Sequence, residues 1–195
     1  MFGGPWWQDL VWGVAWLATM TLVMGWLAKS RLRPVTCTED GVLLRYPRSY
    51  LGIGLVCTFL FLGFAVFSLY AFSSDSEKLK YALFFVAFSM LGWPIVAGYF
   101  IESHEVGPEG VRYRTSFGRQ GFFAWSQVNR VDYSYGMKWF RLHAGGKIVR
   151  FSALLVGLPE LARAIEQYAP DAVRDTQVRE LLATTAGGSP PSPWP

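Results

Sequence analysis

The sequence predicts a membrane α-helical protein with three spans and a cytoplasmic domain of the α+β class. Of the 195 residues, 52% are hydrophobic, and they are concentrated in three long blocks, residues 10–28, 50–72 and 82–101, that contain no Asp, Glu, Lys or Arg. After the third block the pattern changes to short runs separated by turn residues, which is typical of strands. A chain of this length has too few polar residues to bury three uniformly apolar helices in a soluble core.

The three apolar blocks each have close to the roughly 20 residues that an α-helix needs to cross a bilayer. Tryptophan and tyrosine stand near the block ends, and such rings prefer the headgroup level of a membrane. The predicted spans are residues 6–28, 50–72 and 81–101. Because Met1 to Gln8 contains no Lys or Arg, we expect the first span to be retained rather than cleaved as a signal peptide. Pro94 predicts a kink in the third span.

Basic residues predict the orientation of these spans. The segment after the first span contains Lys29, Arg31, Arg33, Arg45 and Arg48. The loop of residues 73–80, in contrast, balances two lysines with two acidic residues. By the positive-inside rule the arginine-rich side is cytoplasmic. We therefore expect a multi-pass protein with its N-terminus outside and its C-terminal domain in the cytoplasm.

Residues 102–169 are predicted to form the cytoplasmic domain, with a hairpin series followed by a helix. The predicted strands are residues 102–106, 111–116, 121–125, 128–133, 138–143 and 148–152. The glycines at 107 and 110 favour a turn with a positive φ at one of them, and those at 145 and 146 favour a two-residue hairpin loop. From Leu158 the period becomes helical, and Pro170 ends the helix. Residues 170–195 are predicted to contain a weak helix and a disordered, Pro-rich tail.

Residues 35–47, between the first two spans, are predicted to be a cytoplasmic strand segment. Like the stretch around Val111, this segment places an acidic residue and a glycine ahead of a β-run that ends in arginine. An isolated hairpin is marginally stable in water, so we expect the segment to join the sheet that follows the third span. The sequence leaves open whether it pairs within the chain or with another copy.

The glycine turn before Val111, the element Ala-Trp-Ser-Gln-Val at 124–128, a hairpin and a final amphipathic helix resemble bacterial pleckstrin-homology-like (PH-like) membrane proteins. The likeness covers residues 35–169 and is greatest to the YcxB-like type, although the additional N-terminal span departs from the simplest arrangement. It implies a bent antiparallel sheet or partial barrel capped by a C-terminal helix, without known catalysis. It also implies location in the bacterial inner membrane.

The sequence contains no nucleophile elbow, phosphate loop, zinc-spacing cluster or dinucleotide fingerprint. Strand alternation would place Glu102 and His104 on one face, as in a metal pair. With no third ligand nearby in sequence, we expect a solvated edge close to the membrane instead. The sequence therefore predicts no enzyme, no metal site and no cofactor.

Two pairs of side chains are candidate binding residues. Tyr135 and Trp139 belong to an aromatic hairpin, for which packing in the core and contact with a partner or lipid are equally favoured. Arg112 and Arg114 share a strand face on which they can meet anionic lipid headgroups, although a solvated face explains them as well. A structural role is assigned to Trp125, Gly110, Gly145 and Gly146.

These features favour a non-enzymatic, membrane-anchored binding or scaffolding module that engages a protein partner, a second copy of the chain or inner-leaflet lipid. The alternative is an accessory subunit of a membrane transport complex or a small oligomeric pore, which the lack of ionisable residues in the spans disfavours. Nucleic acid is not expected as a partner, because the net charge of +4 is explained by the topology.

Overall fold

The computed structural model describes residues 6–31, 34–38, 41–72 and 74–192, and these residues belong to the α+β class. The helices are α1 (Trp6–Ser30), α2 (Arg48–Ala71), α3 (Asp75–Ser89), α4 (Trp93–Ile101), α5 (Leu158–Tyr168) and α6 (Thr176–Ala186). The strands are β1 (Thr36–Thr38), β2 (Gly41–Leu44), β3 (Ser103–Val106), β4 (Gly110–Arg114), β5 (Gln120–Ala124), β6 (Val128–Ser134), β7 (Trp139–Ala144) and β8 (Lys147–Ser152). The α+β prediction is thereby confirmed.

Two helical units among the described residues are long and apolar enough to cross a membrane. They are Arg48–Ala71, which is α2, and Asp75–Ile101, which joins α3 and α4. Only 17% and 22% of their apolar windows are buried, whereas the core helix of a soluble protein is mostly buried. Helix α1 has 25 residues, but the stretch of it that is apolar by mean hydropathy covers only Leu17–Leu27. Two helices can therefore span a membrane by length and composition.

The helical unit Asp75–Ile101 differs in two ways from the predicted span of residues 81–101. Its helix begins at Asp75, so the predicted loop of residues 73–80 is mostly helical, and the acidic residues in its first turn suit the positive end of the helix dipole. A 3₁₀ turn at Met90–Gly92 divides α3 from α4 just ahead of Pro94. Proline lacks an N–H and its ring crowds the carbonyl four residues earlier, here that of Met90, which accounts for the break.

The strands form two antiparallel sheets, one in the order β1-β2-β3-β4-β5 and the other in the order β6-β7-β8. Strand β2 pairs with β3, with Val42 opposite Val106 and Leu44 opposite His104. The segment between α1 and α2 therefore joins the later strands within the same chain. As far as the described residues extend, both sheets are open, and neither closes into a barrel.

The hydrophobic core lies between the inner faces of the sheets and the two C-terminal helices. Leu44, Phe140 and Phe151 from the strands are fully buried together with Leu161 and Ile165 from α5. Helix α5 contributes one apolar stripe, because its buried residues recur at helical spacing. Helix α6 packs beside α5 through Val178 and Leu182, and so completes the core.

The strands run back and forth between two ends of the domain. Strand β2 leads into α2, and α4 leads into β3, so we name this end the helix end. Because every pairing from β3 onward is antiparallel, residues 115–119 and 135–138 connect strands at the helix end. Residues 107–109, 125–127 and 145–146 connect them at the opposite, far end. The indole Nε1 of Trp125 donates to the Gly107 carbonyl at 2.9 Å, which joins the far ends of the two sheets.

One local prediction, the positive φ in the turn at residues 107–110, is wrong. Neither Gly107 nor Gly110 has a positive φ. Glycine is needed at 110 for space instead, because a Cβ there would lie 2.8 Å from the Ala124 Cα and closer still to the Phe123 carbonyl. Where the sequence predicts a disordered tail, the structure places the carbonyls of Pro190 and Pro191 against the Arg31 guanidinium. Residues 193–195 lie outside the described residues.

Candidate functional site

The three-stranded sheet turns one face to the core and leaves the other exposed. Strand alternation and the observed register place nine side chains on this outer face in three rows. From the helix end to the far end, the rows are Ser134, Trp139 and Ser152, then Asp132, Arg141 and Arg150, then Arg130, His143 and Ile148. On this outer face Arg130, Arg150 and Ile148 are exposed, Ser134, Trp139, Arg141 and His143 are half-buried, and Asp132 and Ser152 are buried.

Asp132 organises the basic side chains of the outer face. Its carboxylate accepts a hydrogen bond from Nε of Arg141, lies 3.3 Å from Nε of Arg130, and lies 2.9 Å from Nε2 of His143. The carboxylate itself is mostly buried, whereas the side chains of Arg130 and Arg141 remain 60% and 38% exposed. Arg150 lies in the same row, next to Arg141, and Asp132 is the acidic residue among the nine side chains of this face. The face therefore carries an excess of positive charge whose geometry is held by Asp132.

Trp139 and Arg150 form the aromatic part of the outer face. The guanidinium carbon of Arg150 lies 5.6 Å from the centroid of the Trp139 ring, which is cation–π distance. Ile148, one row away from Arg150 on the same strand, is 49% exposed. Arginine stacked on an aromatic ring and beside an exposed aliphatic residue is typical of surfaces that bind acidic partners.

The two predicted aromatic candidates lie in different places. Trp139 is on the outer face, but Tyr135 is in the connection at the helix end, with its hydroxyl 3.5 Å from Oε1 of Gln177. The Tyr135 ring packs edge-on against Tyr133 at a centroid distance of 5.1 Å. Tyr133 and Phe140 are buried in the core. The rings of Tyr133 and Phe140 are thus in the core, whereas Tyr135 is exposed and Trp139 is half-buried.

The two predicted basic candidates share the exposed face of β4 but have different surroundings. Arg112 lines a cleft of about 510 Å³, and its Nη1 donates to Glu105 Oε2 at 3.0 Å. Thr38 donates to the other oxygen of Glu105 at 2.6 Å, so this carboxylate is engaged on both sides. Arg114 is exposed at the helix end, where β4 ends. Of the two, Arg114 therefore lies nearer to the apolar helices, and Arg112 lies in the cleft.

The residues assigned a structural role lie in the core or in turns. Trp125 is buried and stacks on Tyr168 of α5 at a centroid distance of 5.8 Å. Gly145 and Gly146 have φ values of +55° and +76° and form the loop between β7 and β8. Two successive residues with positive φ are the pattern of a type I′ hairpin, which glycine adopts without steric cost.

A second polar cluster is buried at the helix end, and it corrects the expectation of a solvated edge at Glu102 and His104. Oε1 of Glu102 lies 3.2 Å from Nε2 of His104 and accepts from the Tyr46 hydroxyl at 3.4 Å, and Ser116 donates to Oε2. Nδ1 of His104 is buried and has no hydrogen-bond partner. Burial, and then the charge of Glu102, raises the pKa of Tyr46. Sequence reasoning missed this burial because it depends on the helices and strands packing around it.

The described residues contain no group of three or more His, Cys, Asp or Glu side chains placed to hold a metal ion. The most informative residues that sequence reasoning missed are Asp132, Arg141 and His143. The alternation Trp-Phe-Arg-Leu-His from 139 to 143 contains the signal, because every second residue is polar or amphipathic and faces outward.

A scan of protein-family models, a search of curated proteins and a search of solved structures found no match to this chain. The fold and the outer face together define the class of protein: an α+β domain joined to apolar helices and exposing one basic and aromatic sheet face.

Proposed function

We propose that the chain is a non-enzymatic binding module of the PH-like, YcxB-like type, anchored in a bacterial inner membrane, and that its outer face binds an acidic segment of a protein partner. The observation that carries this proposal is the outer face itself, where Arg130 and the half-buried Arg141 pair with Asp132 and the exposed Arg150 lies over Trp139. Preorganised arginine and tryptophan side chains are the residues that most often dominate binding energy at interfaces.

The anchor of this module consists of three spans with the N-terminus outside. Helix α1 is the first span, and the two helical units that are long enough to cross a membrane are the second and third. The attachment of α1 to α2 supports this arrangement. The hydroxyls of Ser30, at the end of α1, and Ser49, in the first turn of α2, are hydrogen-bonded and buried. The arginines that follow α1 then lie on the same side of the membrane as the α+β domain, as the positive-inside rule requires.

The distance of most of the outer face from the helix end favours a protein partner over the lipid surface. The strands rise about 3.4 Å per residue, so the row of His143 lies about 14 Å farther from the helix end than the row of Trp139. Headgroups of the membrane in which the helices sit can approach only the nearest row. An acidic peptide segment that runs along the face can meet arginines in both farther rows, and it can also pack against the tryptophan.

A photo-cross-linking experiment tests this proposal. A benzoylphenylalanine introduced in place of Ile148 should give one discrete protein adduct in living cells, and mass spectrometry should place the cross-link in a segment rich in Asp and Glu. The same photoreactive residue in place of Phe122, which is exposed on the other sheet, serves as the position control.

Charge reversal supplies the matched variants. R150E should reduce the yield of the Ile148 adduct several-fold, because it reverses a charge on the outer face. K147E reverses a charge on the same strand, but strand alternation places Lys147 on the opposite face of the sheet from Arg150. It should therefore leave the yield unchanged. A yield insensitive to Arg150, or an adduct formed with lipid, would contradict the proposed partner.

A further inference from the structure

The two connections at the helix end carry exposed apolar side chains, whereas the described connections at the far end do not. Phe117 is 94% exposed at the tip of residues 115–119, and Met137 is 63% exposed within residues 135–138. At the far end, the exposed residues of the described connections are Pro108, Glu109, Ser126, Gln127, Gly145 and Gly146. Exposing large apolar side chains to water is unfavourable. Because the described connections carry them at the helix end alone, we expect another surface to cover them there.

The tip that carries Phe117 lies beside the end of α4. Ser116 donates to the carboxylate of Glu102, the residue that directly follows α4. A Cβ built on Gly98, in the last turn of α4, would lie 3.7 Å from Oγ of Ser116. Phe117 is therefore held at the level where the second helical unit ends.

The tip that carries Met137 is connected to the end of α1. The backbone N–H of Ala153 donates to the Lys138 carbonyl at 2.9 Å, and the Ala153 carbonyl accepts from Nη1 of Arg31 at 3.0 Å. Arg31 directly follows α1. Two independent chains of hydrogen bonds thus place both tips at the helix end, at two separate points of the domain.

The exposure of Phe117 is imposed by the backbone of its turn. The Thr115 N–H donates to the Arg119 carbonyl at 2.8 Å, and the Gly118 N–H donates to the Thr115 carbonyl at 2.8 Å. Gly118 adopts a φ of +74°, a conformation that residues with a Cβ rarely adopt, and this allows the loop to close. The phenylalanine is consequently presented outward by a closed turn.

We propose that residues 115–119 and 135–138 insert Phe117 and Met137 into the headgroup layer of the same membrane that the helices cross. Arg114 and Arg119 flank the first tip and are exposed, and Lys138 belongs to the second. Basic side chains beside an apolar tip are the arrangement that binds an anionic lipid surface, with the apolar side chains below the phosphates and the charges among them. This inference rests on the membrane anchoring in the proposed function.

Nitroxide labels on the full-length chain in nanodiscs of phosphatidylethanolamine and phosphatidylglycerol test the depth of each tip. On a background of C37S and C57A, single labels are introduced through F117C, M137C, E109C and L60C. The far-end position 109 is the aqueous control beyond the opposite end of β4 from Phe117, and position 60 is the membrane control in the middle of α2. Collisional accessibility to oxygen and to a water-soluble nickel chelate gives the depth.

The oxygen-to-nickel accessibility ratio should be several-fold higher at positions 117 and 137 than at 109, and highest at 60. A ratio at either tip equal to that at 109, with a high ratio at 60, would overturn this inference and leave the membrane anchoring intact. A low ratio at position 60 would instead overturn the anchoring itself. Because Phe117 and Met137 are exposed, their replacement removes no core contact.

Discussion

Glu102 is the side chain that connects the apolar helices to the sheet. It directly follows α4, and its carboxylate accepts hydrogen bonds from Ser116 on the β4–β5 connection and from Tyr46 ahead of α2. The raised pKa of Tyr46 keeps its phenol protonated, which is the form that donates to a carboxylate. His104 adds a third contact from β3. One acidic residue thus satisfies polar groups from three parts of the chain.

Replacement of Glu102 should therefore cost far more stability than replacement of an exposed acidic residue. E102A removes the acceptor of the half-buried Ser116 hydroxyl and one of the partners of Tyr46, which also hydrogen-bonds to Ser152, so we expect the free energy of unfolding to fall by about 2 kcal/mol. Chemical denaturation of the detergent-solubilised protein, followed by circular dichroism, measures the change. The matched control E109A removes an exposed carboxylate at the far end and should change stability by less than about 0.5 kcal/mol. Equal effects of the two variants would contradict the role assigned to Glu102.

At the scale of elements, the helices pack closely where small residues face one another. A Cβ on Gly92 would lie 2.9 Å from the Gly54 carbonyl and closer still to Oγ1 of Thr58. A Cβ on Gly54 would lie 3.0 Å from the Ile95 and Val96 side chains. Small residues at such contacts let helix backbones approach closely, which is the main source of packing between helices in lipid.

G92L should separate α2 from the 3₁₀ turn that precedes α4. We expect it to lower the free energy of unfolding by about 1–3 kcal/mol, since overpacking forces neighbouring side chains and backbone to shift. Thermal unfolding in a mild detergent measures this effect. G63L places the same side chain on α2 in open space and should leave the midpoint unchanged. A tolerated G92L would show that the helices do not rely on this close approach.

At the scale of the whole molecule, the chain has two chemically different ends. The helix end contains the apolar helices, the buried cluster around Glu102 and the two apolar tips, whereas the far end exposes polar and small residues. The outer face extends from one end to the other along the strands. Such polarity suits a domain that stands on a membrane and presents its side to a partner.

The orientation of the whole molecule can be measured in intact cells. A membrane-impermeant maleimide should label S74C, between α2 and α3, from outside, because we expect that connection to lie outside the cell. E109C at the far end should be labelled only after the membrane is permeabilised. Both variants carry C37S and C57A, so that no other thiol reacts. The reverse labelling pattern would overturn the predicted orientation.

Much of the secondary structure follows from local pattern. The strand positions after Ile101 agree with the prediction within about two residues, and α5 begins at Leu158 as its helical period indicates. Alternation at a period of two and recurrence near 3.6 residues are properties of neighbouring residues, so they can be read without a partner. The sequence also predicts that the segment before α2 joins the later sheet, because a lone hairpin in water is marginally stable, but the pairing with β3 of the same chain comes from the structure.

The tertiary structure decided which side chains meet. Glu102 and His104 share a face as alternation requires, but only the packing of α4, β3 and the β4–β5 connection buries them. Asp132 and His143 are brought together by register, and the approach of Phe123 makes glycine necessary at 110. Periodicity depends on residues close in sequence, so the sequence by itself determines the secondary structure. Burial, close approach and cross-strand contact depend on residues distant in sequence, so only the tertiary structure determines them.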